Sequence, residues 1–357
     1  MKTLDDVVSM KTLDPSDVLA STGLFPDQCK QAWEESSHIT FPDFYKKVSN
    51  IVVCGMGGSR FTPKTIKELY RDRIRVPYEI VEDYSLPVYV GPSSLVILSS
   101  FSGTTEEVIH CGTEAFARGA KLTAVVQGGK IALMLKEHNL PGYIFNPKFN
   151  PCGQPRIGGG YLLMGHMGIL KAVGFLDVTD TEITEAIAFA KTIGNRYKAQ
   201  TTEAHNPAKQ LARLLYDRHP FIVTAEFLKG FGNAFANQVN ETAKMISDYR
   251  YIPELNHHLM EGLKRPDSLH QNGLFLFFLS DLYTLPIQKR FAITADVVKK
   301  QQVATHAITL HGTSKLAQVL EAYTLSGYVS FYMAMLYEND PVAIPWVTYF
   351  KQQLAKS

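Results

Sequence analysis

Ser99-Ser100-Phe101-Ser102-Gly103-Thr104-Thr105-Glu106-Glu107 directly follows the apolar run 95–98. Short hydroxyls and a glycine therefore sit where a buried strand ends and a helix begins. The first turn of a helix has free N–H groups and a partial positive charge. Hydroxyl side chains add neutral donors, and glycine lets the backbone approach an anion closely. The chemistry this suits is the holding of a phosphate. Ser102 reads as the N-cap, with Glu106 and Glu107 in the favoured first turn. On local sequence alone, a capped helix without a ligand fits equally well.

A second loop of this kind, Gly55-Met56-Gly57-Gly58-Ser59, ends the β-branched run 50–54. A dinucleotide fingerprint would need glycine where Arg60 stands, and no Gly-Lys-Ser or Gly-Lys-Thr follows to make a P-loop. Both nucleotide signatures are thereby excluded. Ligands of open α/β sheets bind at the carboxyl ends of strands, near a switch in strand order. Both loops would lie at that edge, and a small phosphorylated ligand suits them better than a nucleotide. The alternative is a tight βα turn that holds nothing.

The elements that would position these loops alternate along the chain. Residues 1–48 read as helices, with proline and an acid near helix starts at Phe25-Pro26-Asp27 and Phe41-Pro42-Asp43. Strand-like runs follow at 50–54, 78–81, 95–99, 121–126 and 142–145, interleaved with helical patterns at 62–69, 104–116 and 131–138. Such alternation predicts a parallel sheet with helices on both faces. Residues 158–200 read as helical. The alternation then restarts, with strands at 221–224, 250–252, 274–279 and 303–310, a helix to about Ser247, a long helix over 314–337 and a last one from Pro345.

The 357 residues, 45% of them hydrophobic, are enough for about two domains. Charge is nearly balanced, with 36 basic against 34 acidic residues, which gives no footprint for nucleic acid. Cys29, Cys54, Cys111 and Cys152 are widely separated, without a CxxC pair or a Cys/His ladder, so neither zinc nor another metal is expected. The beginning of the chain has early acids and no apolar h-region, and the most apolar run, 274–279, is too short to span a bilayer. A soluble, cytoplasmic protein without membrane contact is the expectation.

The two loops together resemble the paired loops of sugar isomerase (SIS) domains. Pro155-Arg156, Asn240-Glu241-Thr242-Ala243-Lys244 and Glu254-Leu255-Asn256-His257 narrow the resemblance to the bifunctional phosphoglucose/phosphomannose isomerase family. Leu13-Asp14, Phe25-Pro26 and Trp33-Glu34 near the start, and Gly327-Tyr328-Val329-Ser330 near the end, are similar as well, so the likeness covers nearly the whole chain. It implies an α/β fold of two tandem SIS domains, each a five-stranded parallel sheet flanked by helices. Residues 1–165 would form the first with its leading helices, 166–200 a helical linker, and 201–357 the second with a closing helix. It also implies a homodimer and reversible aldose–ketose isomerisation of hexose 6-phosphates through an enediol, without cofactor or metal.

The site residues follow from the resemblance, position by position. Gly58, Ser59, Ser100, Ser102 and Thr105 would hold the substrate phosphate. Glu241 would be the base that moves the proton between C2 and C1. Periodicity alone would not choose it: on a helix from about 233, Phe235, Val239 and Ile246 form the apolar stripe and Glu241 points away from it, toward solvent. His257 would open the ring, supplied by the partner subunit, with Glu254 supporting it. Arg156 would balance the enediolate charge, and Lys351 would close over the substrate. His257 and His258 side by side invite a metal reading, but no third ligand is suitably spaced.

Three departures from the family pattern stand out. Arg60 replaces a small residue and would touch phosphate or narrow the pocket. Gly158-Gly159 stand where larger residues are usual after the arginine. The stretch Asp340-Pro341-Val342-Ala343-Ile344-Pro345 lacks the threonine tied to dual specificity, and Thr348, one turn from Lys351, is out of register. That missing hydroxyl predicts weak or absent turnover of mannose 6-phosphate. A non-catalytic sugar-phosphate-binding protein is the alternative reading. The isomerase half of an amidotransferase fits less well, because no cysteine-nucleophile domain precedes it.

Overall fold

The computed structural model describes residues 3–354 and 356. Helices α1 (Val7–Leu13), α2 (Val18–Gly23) and α3 (Phe25–Ser36) precede strand β1 (Asn50–Gly55). The first α/β unit continues through α4 (Gly58–Leu69), β2 (Tyr78–Val81), β3 (Ser94–Ser100), α5 (Glu106–Ala117), β4 (Lys121–Val126), α6 (Gly129–Glu137) and β5 (Tyr143–Ile144). Every pairing in its sheet is parallel, in the order β2-β1-β3-β4-β5. The chain passes from β1 to β2 on one side and then crosses back to β3 on the other, so the switch in strand order lies between β1 and β3. Gly55 pairs with Ser99 across it. The β3 side chains are buried throughout, as expected of a strand covered by helices on both faces.

Helices α7 (Gly159–Ala172) and α8 (Asp180–Gly194) divide the stretch that reads as continuously helical. The second unit contains α9 (Pro207–Leu215), β6 (His219–Ala225), α10 (Lys229–Gln238), β7 (Asp248–Ile252), α11 (Ser268–Asn272), β8 (Gly273–Leu279), α12 (Leu285–Lys300), β9 (Ala304–Thr309), α13 (Lys315–Leu336) and α14 (Pro345–Leu354). Its parallel sheet runs β7-β6-β8-β9 and has four strands among the described residues, against the five expected. Helices α9 and α12 are absent from the sequence reading. Both announce themselves by proline at the first helical turns, Pro207 after Asn206 and Pro286 after Thr284.

One continuous apolar core joins the two units. Helix α13 lies within it, buried on nearly every side, as an all-round hydrophobic helix must be. Close approach of α10 to α4 depends on Gly230, where a Cβ would stand 2.3 Å from the backbone nitrogen of Thr65. The contact brings the helix that leads to Glu241 against the helix that begins at Gly58. A second apolar cluster lies on the other face of the first sheet, under α5 and α6.

Candidate active site

The two hydroxyl-bearing loops meet at the carboxyl edge of β1 and β3. Ser99 Oγ donates to the Ser59 carbonyl at 2.6 Å, and the Phe101 amide donates to Ser59 Oγ at 3.0 Å. Ser100 and Thr105 share a hydrogen bond of 2.8 Å between their hydroxyls, and the Gly103 amide donates to Ser100 Oγ at 3.0 Å. Ser102 pairs with Thr104 at 2.9 Å. In a pair of hydroxyls only one proton is used between the two oxygens, so each pair keeps one O–H to offer an anion. Thr105, rather than Ser102, occupies the N-cap position of α5, and Glu106 begins the helix. Ser102 instead accepts the Thr104 amide at 3.3 Å, which makes it part of the loop's own turn.

Gly103 has φ +68°, and a Cβ there would stand 1.8 Å from the Gly128 carbonyl. Only glycine fits that left-handed, crowded position. Gly57, with φ +49°, makes the corresponding turn before α4.

Arg156 arrives from a 3-10 turn, Pro155–Ile157, beside the first loop. A Cβ on Gly58 would stand 3.8 Å from the Arg156 Cα. The Arg156 side chain is only 6% exposed, and its Nη1 lies 3.8 Å from Glu241 Oε2. Its Nη2 donates to the carbonyls of Pro341 and Val342, and its Nε donates to Thr242 Oγ1 at 3.3 Å. The segment that lacks the expected threonine therefore contributes carbonyl oxygens that aim the guanidinium.

Glu241 sits in a π-helical turn, Val239–Ala243, that continues α10 and ends at Lys244 in the left-handed conformation. The helix thus ends before Ile246, which is 69% exposed and no member of the apolar stripe. Glu241 is half-buried, its side chain 35% exposed, on the same helical face as Ala234, Asn237 and Gln238, and single π turns favour functional positions. Burial pushes its carboxyl above the usual range, opposed by the charges of Arg156, Lys351 and Lys244. Burial, with Arg156 beside it, also lowers Lys244 to about 8, while Asp340 and Glu241 pull the other way. A pocket opens between the two helices, with Gly58, Arg156 and Glu241 in its wall.

The remaining expected site residues lie outside that pocket, although Lys351 is near enough for its charge to act on Glu241. His257 is exposed at the end of the 3-10 turn Glu254–His257, outside that pocket. Glu254 faces His258, at 3.9 Å, rather than supporting His257. Lys351 stands on α14, whose residues are all exposed, including Trp346 at 81%. Thr348 Oγ1 donates back to the Ile344 carbonyl within the same helix. Arg60 turns to an ion pair with Glu82 and a 2.6 Å hydrogen bond to Asn233 Oδ1, so its charge is spent on fastening α4 to α10. Among the described residues no cluster of His, Cys, Asp and Glu could hold a metal ion, and no helix is long and apolar enough to cross a membrane. Sequence reasoning missed Lys244, Thr22, Thr62 and Gln238. The last two stand at helical spacing from Gly58 and Glu241, at i+4 and i−3.

Residues 204–354 match the bacterial phospho-glucose isomerase C-terminal SIS domain. A bifunctional phosphoglucose/phosphomannose isomerase of Caldicellulosiruptor bescii is 30% identical over 344 residues, covering 93% of this chain and 97% of the relative. One from Aquifex aeolicus is 27% identical, covering 91% and 94%. Among solved structures, the C-terminal domain of glucosamine-fructose-6-phosphate aminotransferase from Francisella tularensis superposes with a TM-score of 0.70 at 12% identity, covering 92% of this chain and 98% of that one. At that identity the likeness shows a shared SIS-type fold.

Proposed function

Because the chain belongs to the family of bifunctional phosphoglucose/phosphomannose isomerases, we propose that it interconverts glucose 6-phosphate and mannose 6-phosphate with fructose 6-phosphate. The observation that carries this reading is the Arg156–Glu241 pair, 3.8 Å apart in a pocket whose wall begins at the phosphate loop. The relatives' names favour turnover of both aldoses over the loss of mannose 6-phosphate activity that the missing threonine suggests.

Amides at the start of α4 and the hydroxyls of Ser59, Ser100, Ser102 and Thr105 hold the phosphate dianion, neutral donors around a fixed charge. Glu241 takes the proton from C2 of the aldose and returns it to C1. Burial raises its pKa, which makes it a stronger base, and the charges of Arg156, Lys351 and Lys244 oppose the rise. Arg156, aimed by Pro341 and Val342, balances the negative charge of the enediolate. Arginine suits the task because burial lowers its pKa without discharging it.

His257 opens the sugar ring from the partner subunit of a homodimer in the cytoplasm, and Lys351 covers the substrate. Two features support this part: His257 is exposed and does not line its own chain's pocket, and α14 presents bare aromatic side chains that a second copy would cover. Residues 1–165 and 201–357 act as the two SIS domains, joined by 166–200.

Turnover of glucose, mannose and fructose 6-phosphates, measured side by side, tests the activity. Binding of fructose 6-phosphate without conversion would establish the non-catalytic alternative instead. Mixing Glu241→Gln and His257→Ala proteins tests the shared site. One active site in each mixed dimer is then intact, so about one quarter of wild-type activity returns, whereas a site within one chain returns none.

A further inference from the structure

The pocket beyond Arg156 and Glu241 holds polar atoms that the isomerisation steps leave unused. Gly58, Phe61 and Thr62 line it from one face of α4, at i, i+3 and i+4. Ala234, Asn237, Gln238 and Glu241 line it from α10 and its π turn, again on one helical face. Thr22, from the end of α2, lies opposite, where Gly327 on α13 leaves room: a Cβ there would stand 3.0 Å from the threonine methyl. Thr22 and Thr62 are 4% and 2% exposed. Among the described residues Thr22 Oγ1, Thr62 Oγ1 and Gln238 Oε1 are buried without a hydrogen-bond partner.

Leaving a buried polar atom unpaired costs about 1–3 kcal/mol, and the three residues that carry these atoms all line this pocket, from opposite sides. Between them the wall is apolar, with Phe25, Phe61, Ile157 and Tyr323. Neutral donors and acceptors set among apolar surfaces fit hydroxyls on a carbon chain, and Arg156, the cation among the lining residues, is already paired with Glu241. Of the phosphate-loop residues only Gly58 reaches this pocket, so its inner end lies away from the phosphate.

We propose that Thr22 and Thr62, with Gln238, are specificity-determining residues that hydrogen-bond the sugar hydroxyls at the end of the substrate remote from its phosphate. The assignment rests on the isomerase reading and extends it: these side chains supply the neutral recognition that the 340–345 segment, lacking a hydroxyl, does not. Because glucose and mannose 6-phosphates differ only at C2, contacts near that end weigh on the two aldoses unequally.

The test compares Thr62→Val, Thr22→Val and Thr62→Ser with the wild type in full-length protein. Each valine variant removes a hydroxyl that pairs with nothing in the free protein, so its thermal midpoint should be unchanged or higher. Its kcat/KM should fall about 2- to 10-fold per lost hydrogen bond, by different factors for the two aldoses. Thr62→Ser, which keeps the hydroxyl, should restore most of the loss. A lowered midpoint with equal losses for all three sugar phosphates would make the threonines packing groups and overturn the proposal. Unchanged kinetics in an active enzyme would overturn it too. Absence of turnover in the wild type would instead refute the isomerase reading beneath it, so the two failures are distinct.

Discussion

Gly158→Ala is the sharpest test of how the phosphate loop and the Arg156 turn are built together. Gly158 has φ −86°, an ordinary backbone that alanine accepts, so the effect is one of packing alone. A Cβ there would stand 2.1 Å from Phe101 Cε2 and 2.8 Å from its Cζ. Carbon atoms in contact ordinarily lie about 3.5–4.0 Å apart, so the ring has to withdraw by about 1.5 Å. Phe101 is buried and held edge-on by Phe145, with ring centroids 5.2 Å apart, so it has no free direction. Its backbone is fastened as well, through Phe101 N to Ser59 Oγ at 3.0 Å and Gln127 N to the Phe101 carbonyl at 2.9 Å. Overpacking of this kind costs about 1–3 kcal/mol. Because the displaced residue stands between Ser100 and Ser102, KM for fructose 6-phosphate should rise several-fold with the loss of stability. Denaturant unfolding and steady-state kinetics on Gly158→Ala, Phe101→Leu and the double variant read both effects. The smaller side chain should relieve the clash, with a coupling of about 1 kcal/mol or more. Wild-type KM and stability in Gly158→Ala, or strict additivity in the double variant, would refute the reasoning.

Glu241→Gln should lower kcat by about 10²- to 10⁴-fold while fructose 6-phosphate still binds, as measured by calorimetry. The acid limb of kcat/KM should lie above the ordinary glutamate value of 4.5, because burial raises Glu241. Lys351→Met removes a charge that lowers it, so in that variant the limb should move to higher pH. Burial lowers His166 from 6.5 to about 4, so between those values the unfolded chain binds the proton that the folded chain refuses. Its contribution is complete above pH 6.5 and is lost as pH falls toward 4, about 3 kcal/mol in all; urea unfolding of wild type against His166→Asn at pH 7 and 4.5 reads the difference. Arg60→Ala leaves the buried Asn233 oxygen unpaired and should cost about 1–3 kcal/mol with KM little changed. A uniform tenfold rise in KM would place Arg60 on the phosphate after all.

The first sheet was legible because its strands are apolar runs ended by glycine or hydroxyl turns, and the same turns carry the phosphate loops. The site was legible only in part. Glu241 reads as solvated because periodicity marks only the apolar stripe; it shares regular helical spacing with Ala234, Asn237 and Gln238, on a face that lines a pocket only through packing distant in sequence. Ile246 misleads because the helix ends before it, at Lys244. Arg60 looks like a phosphate ligand beside Ser59, yet Glu82 and Asn233, distant in sequence, claim its guanidinium. Thr22 and Thr62 carry no local signal, since an unpaired hydroxyl is defined by what surrounds it.

The second sheet has the same switch in strand order, between β6 and β8, yet its carboxyl edge is built to repel what the first edge attracts. Where β6 ends, Glu226 accepts the Thr284 hydroxyl at 2.6 Å. Where β8 ends, Asp281 accepts Gln318 Nε2 at 2.9 Å. Beyond β9, buried Glu321 already takes the amides of His311 and Gly312, at 2.7 and 3.0 Å, through its own carboxylate. A phosphate dianion there would meet three carboxylates and find those amide donors occupied, and like charges at such spacing are strongly unfavourable in a partly buried site. On the proposed function the two units divide the work: one would bind the anion, and the other, its own edge closed by carboxylates, presents α10 and the π turn that carries Glu241. The base consequently depends on how α10 packs against α4, at Gly230 and Thr65, rather than on the phosphate loops.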